Sequence, residues 1–154
     1  MSKSKGGATR RDVLINGTAM GAVLILMPGL AQATPEQVAV ELQKLFGDKK
    51  LSPGKIKLEL PSIAENGLVV PLSFEVESPM TEKDYVKAVH ILAEGNPNPT
   101  IAAFQFTPLA PKAAAAIRIR LAQTQNIVAV AELSNGELYT TKREVKVTIG
   151  GCGG

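Results

Sequence analysis

Three short stretches of this chain alternate strictly between apolar and polar residues. In "KIKLEL" Ile56, Leu58 and Leu60 alternate with Lys55, Lys57 and Glu59; in "IRIRL" Ile117, Ile119 and Leu121 alternate with Arg118 and Arg120; in "VKVTI" Val145, Val147 and Ile149 are every second residue. A period of two puts all the apolar side chains of a segment on one face, the pattern of a strand buried on one side. Further strands are expected at Leu68–Glu77, Tyr85–Ala93, Thr100–Thr107 and Asn126–Ser134, separated by turn signals at Glu65-Asn66-Gly67, Ser78-Pro79, Gly95–Pro99 and Pro108–Lys112. Ser134-Asn135-Gly136-Glu137 is the clearest hairpin, and Asn-Gly suits a type I′ turn. Pro61 and Pro71 each lack a ladder donor, so the strands they touch are edges or end there. About seven short strands at this spacing predict a mainly β fold, an immunoglobulin-like antiparallel β-sandwich.

One helix precedes the strands. Thr34 is a natural N-cap, Pro35 fits the first helical position, Gln37 completes a capping-box pattern, and Val38, Leu42, Leu45 and Phe46 make one apolar stripe ending at Gly47. The 154 residues, 45% hydrophobic and 20% charged, suffice for one domain with a core of its own.

The first 33 residues have the layout of an export signal: a basic start, an apolar stretch from Ala19 to Leu30, and small residues at Ala31 and Ala33 around Gln32, an A-x-A cleavage site. Arg10 and Arg11, within Thr9-Arg10-Arg11-Asp12-Val13-Leu14, resemble the twin-arginine pattern; Val13 and Ile15 stand where that pattern usually has Phe and Lys. A membrane anchor needs about 20 predominantly apolar residues, and Asn16, Gly17, Thr18, Pro28 and Gly29 break the run. Cleavage after Ala33 removes Lys3, Lys5, Arg10, Arg11 and Asp12 from a chain of 17 basic and 14 acidic residues, leaving 13 of each. The mature chain is then close to neutral, which argues against nucleic acid or a membrane surface as its partner. The expected organisation is an export signal over 1–33, a helix plus sandwich over 34–149, and a tail over 150–154.

An autonomous enzyme would need a nucleophile with a base, a carboxylate pair or a ligand cluster. The chain has one His, one Cys and no metal or nucleotide motif, so neither an enzyme nor a resident cofactor or metal is expected. His90 falls inside a strand and reads as a structural residue; Arg118 and Arg120 read as a solvated sheet face. Cys152 stands apart, with Gly150 and Gly151 before it and Gly153 and Gly154 after it. Glycine has the widest backbone freedom of any residue, so this segment reads as a thin flexible arm whose only side chain is a thiol. Three extended residues reach about 10 Å past Ile149, far enough to enter a channel closed to any folded surface. Nothing in the tail lowers the thiol pKa from its usual value of about 8.5, so activation has to come from another protein. These residues fit a covalent carrier, a tether joining two copies by a Cys152 disulfide in an otherwise structural immunoglobulin-like module, or a functionless tail.

"KVTIGGCGG", the twin-arginine-like signal, and the stretches "LPSIAENGLVVPL", "ILAEGNPNPTIAAFQF" and "RIRLAQTQNIVAVAEL" together resemble the SoxY family, sulfur carriers of the Sox thiosulfate-oxidising system. The resemblance spans essentially the whole mature chain. It implies a periplasmic protein whose Cys152 is the covalent attachment site for thiosulfate-derived intermediates, an S-thiosulfonate and then a persulfide, with the flanking glycines as a swinging arm. It also implies a heterodimer with SoxZ, and transient contacts with a c-type haem conjugating enzyme, a dimanganese sulfate-releasing hydrolase and a molybdenum sulfur dehydrogenase. Ubiquitin-like sulfur donors also end in Gly-Gly, but they need a cytoplasmic β-grasp domain with a long central helix, and this chain has an export signal instead.

Overall fold

The computed structural model describes residues 34–149. Helix α1 spans Pro35–Phe46 and begins as expected: Thr34 is the N-cap and its hydroxyl accepts from the Gln37 N–H. It ends at Gly47, whose N–H donates to the Gln43 carbonyl at 2.8 Å and whose φ is 65°. Nine strands follow among the described residues: β1 (Leu51–Pro53), β2 (Ile56–Glu59), β3 (Ile63–Ala64), β4 (Val70–Val76), β5 (Val86–Ala93), β6 (Thr100–Gln105), β7 (Ala113–Ile119), β8 (Gln125–Leu133) and β9 (Leu138–Val147).

They form two sheets. The larger runs β1-β9-β8-β5-β6, with β3 also paired to β9; the smaller runs β2-β4-β7. The five longest pairings, β2–β4, β4–β7, β5–β6, β5–β8 and β8–β9, are antiparallel, as the sandwich reading requires. Two short additions go beyond it: β1 and β3 lie parallel to β9, Leu51 opposite Leu138 and Ile63 opposite Lys146. One segment, 51–64, therefore starts on the large sheet, crosses to the small one as β2, and returns. The first crossing needs a sharp turn, supplied by Gly54 at φ 111° and Lys55 at φ 58°.

The inner faces of both sheets enclose the main core. Leu58, Val70, Leu72, Phe74, Val76, Ala113 and Ile119 from the small sheet meet Val86, Val89, Ile91, Ala93, Ile127, Ala129, Ala131 and Val145 from the large one. A second cluster lies on the large sheet's other face, where Val38, Leu42 and Phe46 of α1, with Leu51, cover Leu92, Val128, Val130 and Leu138. That cover explains why β8 is apolar almost throughout instead of alternating: both of its faces are buried. Leu45 is not part of this contact; it flanks the stripe and is 41% exposed.

Three details correct the sequence reading. The β8–β9 hairpin forms, but of Asn135 and Gly136 only Gly136 has positive φ, 86°. The Gly136 N–H donates to the Leu133 carbonyl and the Leu133 N–H to the Glu137 carbonyl, so the loop has three residues and a bulge-type Gly, not a two-residue type I′ turn. Pro71 lies in β4, the central strand of the small sheet, at a point past the end of the β2 pairing, which stops at Glu59 opposite Ser73. Finally, β7 starts at Ala113, so four alanines precede the alternation in "IRIRL".

Candidate functional site

Every candidate site residue for the carrier role, Cys152 with Gly150, Gly151, Gly153 and Gly154, lies outside the described residues, as do the export-signal residues Arg10, Arg11, Ala31 and Ala33. The structure does describe the platform from which residues 150–154 continue. Val145 is fully buried, Val147 packs partly against the core, and Ile149 is 69% exposed. The strand thus leaves the core over its last two apolar positions.

That end of β9 is held from two sides. On one side the β2–β4 connection runs along it: the Lys146 N–H donates to the Ser62 carbonyl at 3.0 Å, the Thr148 N–H to Ala64 O at 3.1 Å, the Thr148 hydroxyl to Glu65 O at 3.0 Å, and the Gly67 N–H to Ile149 O at 2.9 Å. On the other side the Val147 N–H donates to the Thr124 hydroxyl at 2.9 Å. The two flanks join, because the Leu121 N–H donates to Gly67 O at 2.8 Å.

A polar network extends this end of the sandwich to the β5–β6 loop. Asn96 donates to Arg120 O and accepts from the Ala122 N–H and from the Gln125 amide, whose own oxygen accepts from the Gly95 N–H at 2.7 Å. Gln125 is buried and fully partnered, so it ties the loop down without leaving an orphaned dipole. Backbone positions through Ile149 are consequently fixed relative to the core.

The remaining candidates are dispersed. His90 faces α1, its ring edge-on to Phe46 at 5.2 Å, and burial pushes its pKa down against the weaker pull of Glu132. Arg118 is exposed on the outer face of the small sheet, opposite Pro71, and Arg120 is exposed beside the loop network. Arg118 lies on the solvated sheet face expected of it, whereas Arg120 falls just past the end of β7 at Ile119 and is off the sheet. The outer face of the small sheet forms an open groove of about 860 Å³ lined by Glu59, Pro61, Pro71, Ala116 and Arg118, among others. Among the described residues, no group of three or more His, Cys, Asp or Glu could hold a metal, and no helix is long and apolar enough to cross a membrane.

Sequence reasoning missed Thr124 and the exposed apolar residues Ile63, Leu68 and Val69. Thr124 carries no sequence signal. Leu68-Val69-Val70 did carry one: three consecutive apolar residues after Asn-Gly cannot all face the core of a strand buried on one side.

The fold is an immunoglobulin-like sandwich whose last strand ends at Val147, five residues before Cys152 in the sequence. The family model for "Sulfur oxidation protein SoxY" matches residues 42–152, and the chain belongs to the SoxY family. The structure is similar to that of the sulfur carrier protein SoxY from Chlorobium limicola f thiosulfatophilum, with 31% identity and a TM-score of 0.63, covering 74% of this chain and 98% of that one. A superoxide reductase (neelaredoxin) from Ignicoccus hospitalis shares the fold at 18% identity and a TM-score of 0.55, covering 75% of this chain and 94% of that one. No curated protein matches.

Proposed function

We propose that this chain is a periplasmic sulfur carrier that holds thiosulfate-derived intermediates covalently on Cys152 and presents them to partner enzymes. The observation that carries the reading is the SoxY family match, which extends through position 152 and so takes in the cysteine. The hydrogen-bonded platform at Ser62–Gly67 and Thr124 supports it, since a carrier arm needs a fixed base.

The chemistry is divided between carrier and enzymes. Loading joins the Cys152 sulfur to the outer sulfur of thiosulfate; the thiol loses its proton, and two electrons leave to the c-type haem conjugating enzyme. Hydrolysis then cleaves the bond between the outer sulfur and the sulfone, water supplies the oxygen of the released sulfate, and a persulfide remains on Cys152. This chain contributes a nucleophile, reach and timing. An ordinary thiol, a few per cent ionised at neutral pH, suits that division of labour because each enzyme supplies its own activation.

The same reading includes SoxZ as heterodimer partner, removal of residues 1–33, and export by the twin-arginine route, which moves folded cargo and so suits a pre-assembled pair. Intact mass of the exported protein from thiosulfate-grown cells tests it. Reducible adducts on Cys152, heavier by sulfur or thiosulfate, are expected, together with co-purification of a small subunit and a mature N-terminus at Thr34. A disulfide dimer as the sole modified form would favour the tether, and full thiosulfate oxidation with Cys152→Ser would sink the carrier reading.

A further inference from the structure

The small sheet ends on one side in a strand that has little to deter a further neighbour. β7 is the edge beyond β4 and pairs with it in an unbroken register over its whole length. Edge strands in native proteins are commonly kept short, charged, bulged or interrupted by Pro. β2, the other edge of the same sheet, has four residues and carries Lys57 and Glu59; β6, an edge of the large sheet, bulges at Ile101, since Ile91 pairs with Ala102 and Leu92 with Thr100. β7, by contrast, is seven residues long, regular and free of Pro, and Arg118 is its one charge. It is also the edge away from β9, because β2 leads into β3 and so onto β9.

Alternation along the ladder gives the direction of its free backbone groups. The Glu77 N–H donates to the Lys55 carbonyl at 2.8 Å, so Glu75, Ser73 and Pro71 also turn their backbone groups toward the β2 side, and Val76, Phe74, Leu72 and Val70 turn theirs toward β7. Pro71, lacking a donor, thus falls on the side where β2 has already ended. Opposite Val76, Phe74, Leu72 and Val70 stand Ala113, Ala115, Ile117 and Ile119. Ala114, Ala116 and Arg118 therefore point their N–H and C=O groups away from β4, and no hydrogen bond among the described residues engages them. We propose that this edge pairs antiparallel with the same strand of a second copy of the chain, centred on Ala116. In that register Ala116 meets its own counterpart and Ala114 meets Arg118 of the second copy, in both directions, so every outward N–H finds a C=O. The charges favour the same centring. Glu75 lies opposite Ala114 in its own chain, so a row across the joined sheets reads Glu75, Ala114, then Arg118 of the second copy. Strand spacing sets those two charged residues about 10 Å apart at the backbone, a gap that a glutamate and an arginine close across the alanine between them. Lys112 and Arg120 of the second copy come together only past the strand ends, where Glu75 already meets Lys112 at 3.3 Å. Centring on Arg118 would instead set like charges face to face.

Native mass spectrometry tests the pairing by counting copies of this chain per particle. The exported chain is purified with any subunit bound to it and kept under reductant, so that no Cys152 disulfide contributes. Two copies are expected. Ala116→Lys or Ala116→Glu alone sets like charges against each other at the centre and should raise the dissociation constant about tenfold or more. Mixing the two variants should restore the pair, with one chain of each kind in every particle, which also shows that both variants fold. A single copy per particle in the unmodified chain, undiminished pairing in either variant alone, or a mixture that stays single would each overturn the proposal. Release of a bound small subunit by Ala116→Lys would overturn it too, by giving the edge to that subunit. Thiosulfate loading does not enter the measurement, so the pairing and the carrier reading stand or fall separately.

Discussion

The two sheets share one core but differ in what lies behind them. Behind β8 and β5 of the large sheet, α1 buries Leu92, Val128, Val130 and half of His90; behind β4 of the small sheet, Pro71, Ser73 and Glu75 face outward with Ala114, Ala116 and Arg118 beside them. The large sheet thus sits at the centre of three layers, and the small sheet is an outer wall. Outward positions should therefore be energetically costly to change in one sheet and nearly free in the other.

The largest test of that contrast is Leu92→Ala. It removes a fully buried side chain from beneath the helix and should cost about 2–5 kcal/mol in chemical denaturation; a loss below about 1 kcal/mol would mean that α1 is not a structural layer. Next is Thr34→Ala, which deletes the helix cap and should cost about 0.5–2 kcal/mol, read by the same method on the mature chain. A smaller effect should appear as a slope against pH. Burial lowers the His90 pKa in the fold, so as pH falls below about 6.5 the unfolded chain takes up a proton before the folded chain does. Stability is then full above the unfolded value and is lost as pH falls toward the folded one. His90→Gln should flatten the slope, and an equally steep slope in that variant would remove His90 as its cause. The smallest effect belongs to the outer wall. Ala116→Ser, at an exposed position on β7, should shift stability by less than about 0.5 kcal/mol, so a loss comparable to Leu92→Ala would end the distinction between the sheets.

The sandwich could be read from the sequence where burial is one-sided, because alternation is visible only there. Ile56 and Leu58 in β2 and Ile117 and Ile119 in β7 alternate with charges, and both segments are strands of the small sheet. Three kinds of strand were harder to see. The run Ala113–Ala116 is weakly β-forming and pairs into the sheet because Phe74 and Val76 opposite need small partners. The first half of β9, "LYTTKRE", is mostly polar, and ladder bonds to β8 define it rather than apolar spacing. β1 and β3 are two or three residues long and exist only because β9 offers them an edge. The carrier motif stood out for the opposite reason: glycine, cysteine and glycine in succession is a chemical statement that needs no fold to be read. Its platform was not legible, since Ser62, Ala64, Glu65 and Gly67 act through backbone groups that any residue carries.

The passage of segment 51–64 between the sheets also has a mechanical side. β9 is flanked by β8 from Leu138 to Val145 and, on its other edge, by β1 at Leu138–Thr140 and by β3 at Lys146–Val147, and Gly67 adds a further bond beyond β3. A tug on residues past Ile149, directed along the strand, loads these bonds in shear and shares the force among many of them, so they do not open one at a time. Because β3 leads back through β2 into the small sheet, the load also passes to both halves of the sandwich. In a force-spectroscopy measurement with the handle at position 152, the domain should resist as a single stiff unit until it ruptures at once.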